Sequence, residues 1–355
     1  MRSQEIKKIL VRGTNWLGDA VMTIPALYCL RSAFPTAKIV LLAPPRAAEV
    51  FTGFQGLDEI IVYQRKEQGP QAFIATLQRL RKENFDLAIL FQNAFEAALL
   101  AKLSRAKIRV GYDNQGRGFL LSHKLKHSEV PRNRHQINDY LDLVQAAEKA
   151  CFGVSSIVTS DNLPTLKISD TQKLAAAKLL AQHGIEPGRQ PLIALNAGAT
   201  NSRAKCWPEE RFAALAERLM ADRNAQIILL GAPAEQPSAA RVMALMKQDG
   251  KAINLVGQTS ITELIGILAG CDLVVTNDTG PAHVAAALGV PTLTIFGPTN
   301  EYETAPLGVR AELMRAEGIE CARCMHRECP IDHRCMTRIT VDEITEKAYS
   351  LTRKL

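Results

Sequence analysis

The chain has 355 residues, 47% apolar and 22% charged, with 43 Lys and Arg against 36 Asp and Glu. At about 150 residues per domain this predicts two domains with sizeable cores, and it excludes disorder, collagen or coiled coil as the main architecture. No uncharged apolar run reaches the roughly 18 residues of a membrane span, and Met1 to Lys8 leads into only Ile9 to Val11, too short an apolar core for a secretory leader.

In chain order, Ile9 to Val11 reads as a short strand. Gly13 to Gly18 is a loop, and Ala20 to Ala33 a helix that Pro25 either bends or starts. Lys38 to Leu42 is a strand closed by Pro44 and Pro45, and Glu59 to Tyr63 is another. Gln71 to Glu83 carries Phe73, Ile74, Leu77 and Leu80 at helical spacing. Asp86 to Leu90 is a strand, Ile108 to Val110 a weaker one, and Ile137 to Ala150 a helix closing the half. A polar bridge includes Ser160 to Pro164 and, later, Glu186 to Arg189. The pattern then restarts with strand Leu192 to Leu195 and helix Pro208 to Met220, its proline in the first turn. Strand Gln226 to Leu230 follows, then helix Thr262 to Ala269 behind the capping-box spacing Ser260-x-x-Glu263. Strand Asp272 to Thr276, helix Pro281 to Leu288, strand Thr292 to Phe296 and a last helix over Asp342 to Leu351 complete the chain.

Strands alternating with helices imply parallel sheets covered on both faces, and the restart near residue 190 implies two such α/β sheets. Ligands of open α/β sheets bind beyond the carboxyl ends of the strands. With two domains, the site is expected in a cleft between them.

Gly13-Thr-Asn-Trp-Leu-Gly18 has Walker A glycine spacing, but Asp19 stands where lysine is needed, and a carboxylate there repels phosphate. The loop is not Gly-x-Gly-x-x-Gly either. Asp19 at this helix start is either a general base or a capping or first-turn acid that complements the helix dipole. Asn277-Asp-Thr-Gly-Pro-Ala-His283 is a second strand-to-helix loop, whose backbone N–H groups suit a pyrophosphate. Thr279 and Gly280 are placed to present them, and Asp278 and His283 add groups for a sugar hydroxyl or a leaving phosphate. The alternative makes Asp278 or Thr279 the N-cap and His283 an ordinary helix residue. Asn196 to Thr200 leaves the first strand of the second half, and Lys205 offers a cation for a diphosphate. Glu235, in Gly231-Ala-Pro-Ala-Glu235, can accept hydrogen bonds from ribose or sugar hydroxyls.

From Lys102 to Arg134, nine basic residues face only Asp113 and Glu129, so this segment carries +7. Such an excess points to an anionic partner, or else to a solvated loop. Cys321-x2-Cys324-x4-Cys329-x5-Cys335, with His326 and His333 interspersed, puts four thiols within fifteen residues. They are a closed tetrahedral metal site or plain thiols in a compact loop. Disulfides are disfavoured in the cytosol, where a chain without a leader is expected to work.

The set Arg12-Gly-Thr-Asn-Trp-Leu-Gly-Asp-Ala-Val-Met-Thr-Ile-Pro25, Ala204-Lys-Cys-Trp-Pro208, Gly231-Ala-Pro233 and Asn277-Asp-Thr-Gly-Pro-Ala-His283 resembles the ADP-heptose:lipopolysaccharide heptosyltransferases of glycosyltransferase family 9. The resemblance covers nearly the whole chain, and Asn15-Trp-Leu-Gly-Asp-Ala-Val-Met22 is similar to the heptosyltransferase II form more than to the heptosyltransferase I form. It implies a GT-B fold: a Rossmann-like acceptor domain over 1–168, a Rossmann-like ADP-sugar domain over 169–340, and a helix over 341–355 packed back on the first domain. It implies Asp19 as catalytic base and Lys205 as the cation at the leaving diphosphate. Thr200, Lys205, Glu235, Asp278, Thr279, Gly280 and His283 are the implied donor-site residues. Gly18, Lys124, Lys126, Arg132 and Arg134 are expected on the acceptor side. The implied reaction is an inverting transfer from ADP-L-glycero-D-manno-heptose to the first heptose of the lipid-linked lipopolysaccharide inner core, with no cofactor required. Weak peripheral contact with the anionic inner face of the inner membrane is expected, and no nucleic acid. A heptosyltransferase I, a protein heptosyltransferase and a non-catalytic anion-binding module are the competing readings.

Overall fold

The computed structural model describes residues 6–126, 133–157, 163–186, 188–200, 202–247 and 252–352. The chain forms two units, Met1–Pro164 and Thr165–Leu355. The first holds β1 (Lys8–Arg12), β2 (Lys38–Ala43), β3 (Glu59–Val62), β4 (Leu87–Leu90), β5 (Ile108–Tyr112) and β6 (His123–Leu125). They lie in the order β3-β2-β1-β4-β5-β6, every pairing parallel. The second unit holds β7 (Leu192–Asn196), β8 (Gln226–Leu229), β9 (Ala252–Asn254), β10 (Leu273–Asn277), β11 (Thr292–Phe296) and β12 (Ala311–Arg315). Their order, β12-β11-β10-β7-β8-β9, is the same winding, again all parallel. Both are doubly wound sheets, as the alternating pattern implies. In each the strand order reverses at one place, between β1 and β4 and between β7 and β10, where such sheets bind ligands.

The central strands are buried on both faces because they are near-continuous Val, Ile and Leu runs. Every residue of β7, β10 and β11 is buried. The helix Glu209–Arg223 covers one face with Phe212, Leu215, Ala216 and Leu219, a stripe at i, i+3, i+4 and i+7. Trp207, fully buried just before it, anchors the segment by donating its indole N–H to the Ile339 carbonyl at 2.9 Å. The helix expected from Ala20 to Ala33 is two helices, Leu17–Met22 and Ile24–Ala33, with Pro25 in the first turn of the second.

Several elements escaped the sequence reading. Edge strands β6 and β9 have three residues each, too few for a periodic signal. The helix Phe95–Leu103 buries Ala97, Ala98, Leu100 and Ala101 and is apolar nearly all round, so no stripe marks it. The helix Asp170–Gln182 starts at a Ser169–Gln172 capping box and lies against helix Ile261–Ala269. That approach is close enough for a side chain at Gly266 to run into the Gln172 carbonyl. The closing helix, Val341–Thr352, buries Ile344, Thr345 and Ala348. Ile344 and Ala348 belong to the second unit's core, and Tyr349 donates to Asp222 at 2.6 Å. Ile344 and Ala348 of its buried face therefore pack within the second unit. Among the described residues no helix is long and apolar enough to cross a membrane.

Candidate functional site

In the second unit the loops after β7, β8, β10 and β11 gather at the carboxyl ends of the strands. Asn277, the last residue of β10 and fully buried, stitches them. Its Nδ2 donates to the carbonyls of Ala197 at 2.8 Å and Gly198 at 3.2 Å, and its Oδ1 accepts the Trp207 N–H at 3.0 Å. That fixes where Lys205 and Asp278 sit. The Lys205 ammonium lies 2.7 Å from Asp278 Oδ2, and Thr299 donates to the same oxygen at 2.8 Å. Asp278 is 5% exposed, so this is a largely buried ion pair whose ammonium keeps an open side. An ammonium has three donors, so the pair leaves Lys205 able to meet an anion.

Thr279 occupies the N-cap position of helix Gly280–Ala287 in extended backbone, but its side chain does not cap. Its hydroxyl pairs instead with that of Thr276 at 3.1 Å. No side-chain hydrogen bond therefore caps this helix start. His283 is buried in the first turn of this helix.

Glu235 is held differently from the expectation of a sugar contact. Its Oε1 accepts the Thr200 N–H at 2.9 Å and the Thr200 hydroxyl at 2.8 Å. Its Oε2 accepts the Ala232 N–H at 3.0 Å and lies 3.4 Å from Asn196 Nδ2. Both oxygens are engaged by the protein, and Gly198 and Gly231 leave room for the side chain that any Cβ would take. In this structure Glu235 clamps the loops after β7 and β8, and Thr200 serves that clamp.

In the first unit, Asp19 is the third residue of helix Leu17–Met22, after the buried Gly18, and Trp16 holds the N-cap position. Asp19 is therefore a first-turn acid and not the cap. Burial, with the Asp19 charge adding to it, pushes the Tyr140 phenol well above its ordinary value. Arg12, at the end of β1, donates to the carbonyls of Gly13 at 2.6 Å and Leu42 at 3.1 Å. Burial lowers its guanidinium to about 10. Its Nε and the Thr14 hydroxyl are buried without a hydrogen-bond partner.

The basic segment does not form one free patch. Lys102, Arg105 and Lys107 precede β5 and so lie at the amino edge of the sheet, away from the ligand-binding ends. Lys107 pairs with Asp86 at 2.8 Å, Lys124 with Asp113 at 3.1 Å, and Arg134 with Asp142 at 2.5 and 2.9 Å. Arg109 donates to the Leu120 and Ala106 carbonyls. Arg117, with no exposed surface, donates to the carbonyls of Tyr112, Gln92 and Ala94 and to Asn93 Oδ1, and burial lowers it to about 10. Counting charges along the chain missed these partners because Asp86 and Asp142 lie outside the segment. Arg132 lies outside the described residues; Lys126 is on the short stretch after β6.

Among the described residues no three His, Cys, Asp or Glu side chains converge to hold a metal ion. Cys321 and Cys324 are exposed, Cys329 is half-buried and Cys335 is buried. As placed, the four thiols do not form a tetrahedral site. Burial, with the other three cysteines adding to it, pushes the Cys335 thiol up to about 11. The sequence reading also passed over Asn277 as an organiser, Thr299 and Arg117. Thr299 follows β11, so the carboxyl-end rule applied to every strand would have reached it; the buried arginine has no sequence signal.

Two doubly wound parallel units, each of six strands, with polar groups gathered at the strands' carboxyl ends of the second, have the GT-B architecture. Residues 73–334 match glycosyltransferase family 9 (heptosyltransferase), and the chain belongs to that family. It is 29% identical over 351 residues to the lipooligosaccharide heptosyltransferase 2 of Campylobacter jejuni, covering 97% of this chain and 99% of that one. It is 27% identical over 321 residues to the lipopolysaccharide heptosyltransferase 2 of Escherichia coli, covering 87% and 88%. The solved structure of the E. coli ADP-heptose lipopolysaccharide heptosyltransferase II matches with a TM-score of 0.81 at 25% identity, over 98% of this chain and 99% of that one.

Proposed function

We propose that this enzyme transfers L-glycero-D-manno-heptose from ADP-L-glycero-D-manno-heptose to the first heptose of the lipid-linked lipopolysaccharide inner core, with inversion. The observation that carries the reading is the Lys205–Asp278–Thr299 cluster beside the helix start at Gly280, which no side chain caps. In this reading the diphosphate meets the Gly280 helix terminus and the Lys205 ammonium. Asp19 takes the proton of the acceptor hydroxyl as its oxygen attacks the anomeric carbon. The anomeric carbon–oxygen bond breaks with its electron pair going to the β-phosphate, and Lys205 meets the charge that develops there. A fixed ammonium and a helix terminus supply that stabilisation, so the proposal needs no metal. Likeness to heptosyltransferase 2 proteins of two organisms supports the choice of acceptor.

The proposal includes weak peripheral contact with the inner face of the inner membrane, through the first unit. Phe119, 72% exposed, and Phe95, 42% exposed, lie with ring centroids 6.2 Å apart in the segments after β5 and β4. Arg117 grips the carbonyls next to Phe95, so these rings are held in water by a rigid support. Exposed phenyl rings favour an apolar surface, and Lys124 and Lys126 follow them in the chain. The deciding experiment is ADP release from ADP-heptose with three additions: no acceptor, unheptosylated core, and mono-heptosylated core. Release that requires the mono-heptosylated core is expected. Release driven equally by the unheptosylated core would assign heptosyltransferase I activity instead.

A further inference from the structure

The cysteine-rich stretch between Ile319 and Ile339 lies outside the reaction described, yet it touches both loops that converge on Asp278. On the Lys205 side, the Ala204 peptide is gripped at both ends. Its N–H donates to the Arg327 carbonyl at 3.0 Å, and its carbonyl oxygen lies 2.7 Å from His333 Nε2. A carbonyl oxygen only accepts, so Nε2 carries the proton in either charge state of the ring. On the Thr299 side, the Met325 N–H donates to the Pro298 carbonyl at 2.9 Å, and Arg323 Nε reaches Glu301 at 3.2 Å. Gly297 lies so close to this stretch that a Cβ there would be 2.5 Å from the Met336 sulfur.

His333 is the residue at which this brace is most sharply built. It holds a left-handed backbone, φ 57°, uncommon for any residue with a Cβ. Its backbone N–H donates to the Cys329 sulfur at 3.2 Å. The ring is half-buried at the wall of a cavity of about 460 Å³ that Arg203, Cys206, Glu209 and Arg241 also line. It lines this cavity rather than filling a packed core.

We infer that His333 is a positioning residue for the transfer: it locks the Arg203–Lys205 turn through Ala204 and so sets the Lys205 ammonium against Asp278 for the departing diphosphate. The inference rests on the donor-site reading above. The test measures ADP affinity, and donor and acceptor KM and kcat, for His333→Ala, His333→Leu and His333→Gln, with Lys205→Ala as reference. Ala and Leu remove the donor, and Leu keeps most of the volume should Ala fail to fold. Gln can replace Nε2–H with its amide. One lost neutral hydrogen bond corresponds to about five- to ten-fold. The Ala and Leu variants should therefore weaken ADP by about that factor and raise donor KM, with acceptor KM unchanged. Gln should restore affinity to within about two-fold. Wild-type ADP affinity in Ala and Leu beside a weakened Lys205→Ala would overturn the inference, as would a Gln variant as weak as Leu. If Lys205→Ala itself binds ADP normally, the donor-site reading fails and the inference falls with it.

Discussion

Glu235→Gln separates two roles for one carboxylate, ligand contact and loop clamp. The side chain is 8% exposed and takes hydrogen bonds from Thr200 N and Oγ1 and Ala232 N, with Asn196 Nδ2 at the limit of range. Whichever oxygen the amide NH2 replaces, it faces a backbone N–H, that of Thr200 or that of Ala232, which it cannot accept. The less costly orientation turns the new NH2 toward Thr200, whose hydroxyl can rotate to accept, and leaves the Thr200 N–H without a partner. One such part-buried orphan costs about 1–3 kcal/mol, and the remaining bonds lose their charge assistance, so about 2–4 kcal/mol in total is expected. For a unit of this size each kcal/mol moves Tm by about 2–4 °C, so ligand-free Tm should fall by about 4–16 °C. Calorimetry without ligand measures the fall, and donor KM with ADP-heptose measures the consequence for the site. An unchanged ligand-free Tm together with a raised donor KM would refute the clamp and return Glu235 to the sugar.

Asp19→Asn keeps the first-turn residue and its size but removes the base, so turnover should fall about 10²-fold or more with ADP affinity unchanged; near-normal turnover would leave Asp19 as a dipole partner only. Phe95→Ser and Phe119→Ser together should lower binding to vesicles of anionic lipid and raise acceptor KM without moving donor KM; wild-type vesicle binding would remove these rings from the membrane reading. Burial alone would raise the Asp86 carboxyl, but Lys107 and the N–H groups of Lys7 and Lys8 outweigh it and hold it below its ordinary 3.8. Its folded value lies below the unfolded one, so its stabilisation is complete above pH 3.8 and lost as pH falls through the folded value. The Tm gap between wild type and Asp86→Asn should therefore be constant from pH 7 to 5 and close below pH 3.8; a gap that persists at pH 2 would contradict the pairing. A thiol reagent at pH 8 should modify Cys321 and Cys324 first, while Cys206 and Cys335, raised by burial to about 11, react slowly. Protection of Cys321 and Cys324 that a chelator lifts would instead establish the four-thiol metal site.

How legible the protein was in its sequence differs between fold and site. The parallel α/β pattern is local: strands buried on both faces must be runs of Val, Ile and Leu, and helices between them must carry an apolar stripe. Hence β1, β2, β7, β10 and β11 were readable from their residues alone, and with them the loops at their carboxyl ends. Glycines and polar residues in those loops named Asp19, Lys205, Asp278 and Thr279 as candidates, because ligands of such sheets bind beyond the strands' carboxyl ends. The short edge strands and the helix Phe95–Leu103 were not readable, since three residues carry no period and a helix apolar nearly all round shows no stripe.

What the site does with its residues depends on partners distant in sequence. Lys205 meets Asp278 across 73 positions, and His333 reaches Ala204 across 129. Composition and spacing bear no trace of either, because they follow from the strand order β12-β11-β10-β7-β8-β9, which sets loops from separate crossovers side by side. The same holds for charge: a segment of +7 by sequence becomes a set of ion pairs and a buried guanidinium once Asp86, Asp142 and the carbonyl-lined pocket of Arg117 are brought to it. Hydrophobic periodicity and turn chemistry act within a few residues and can be read from one strand of text, whereas hydrogen bonds and ion pairs act through space at about 3 Å and are decided only by the packed chain.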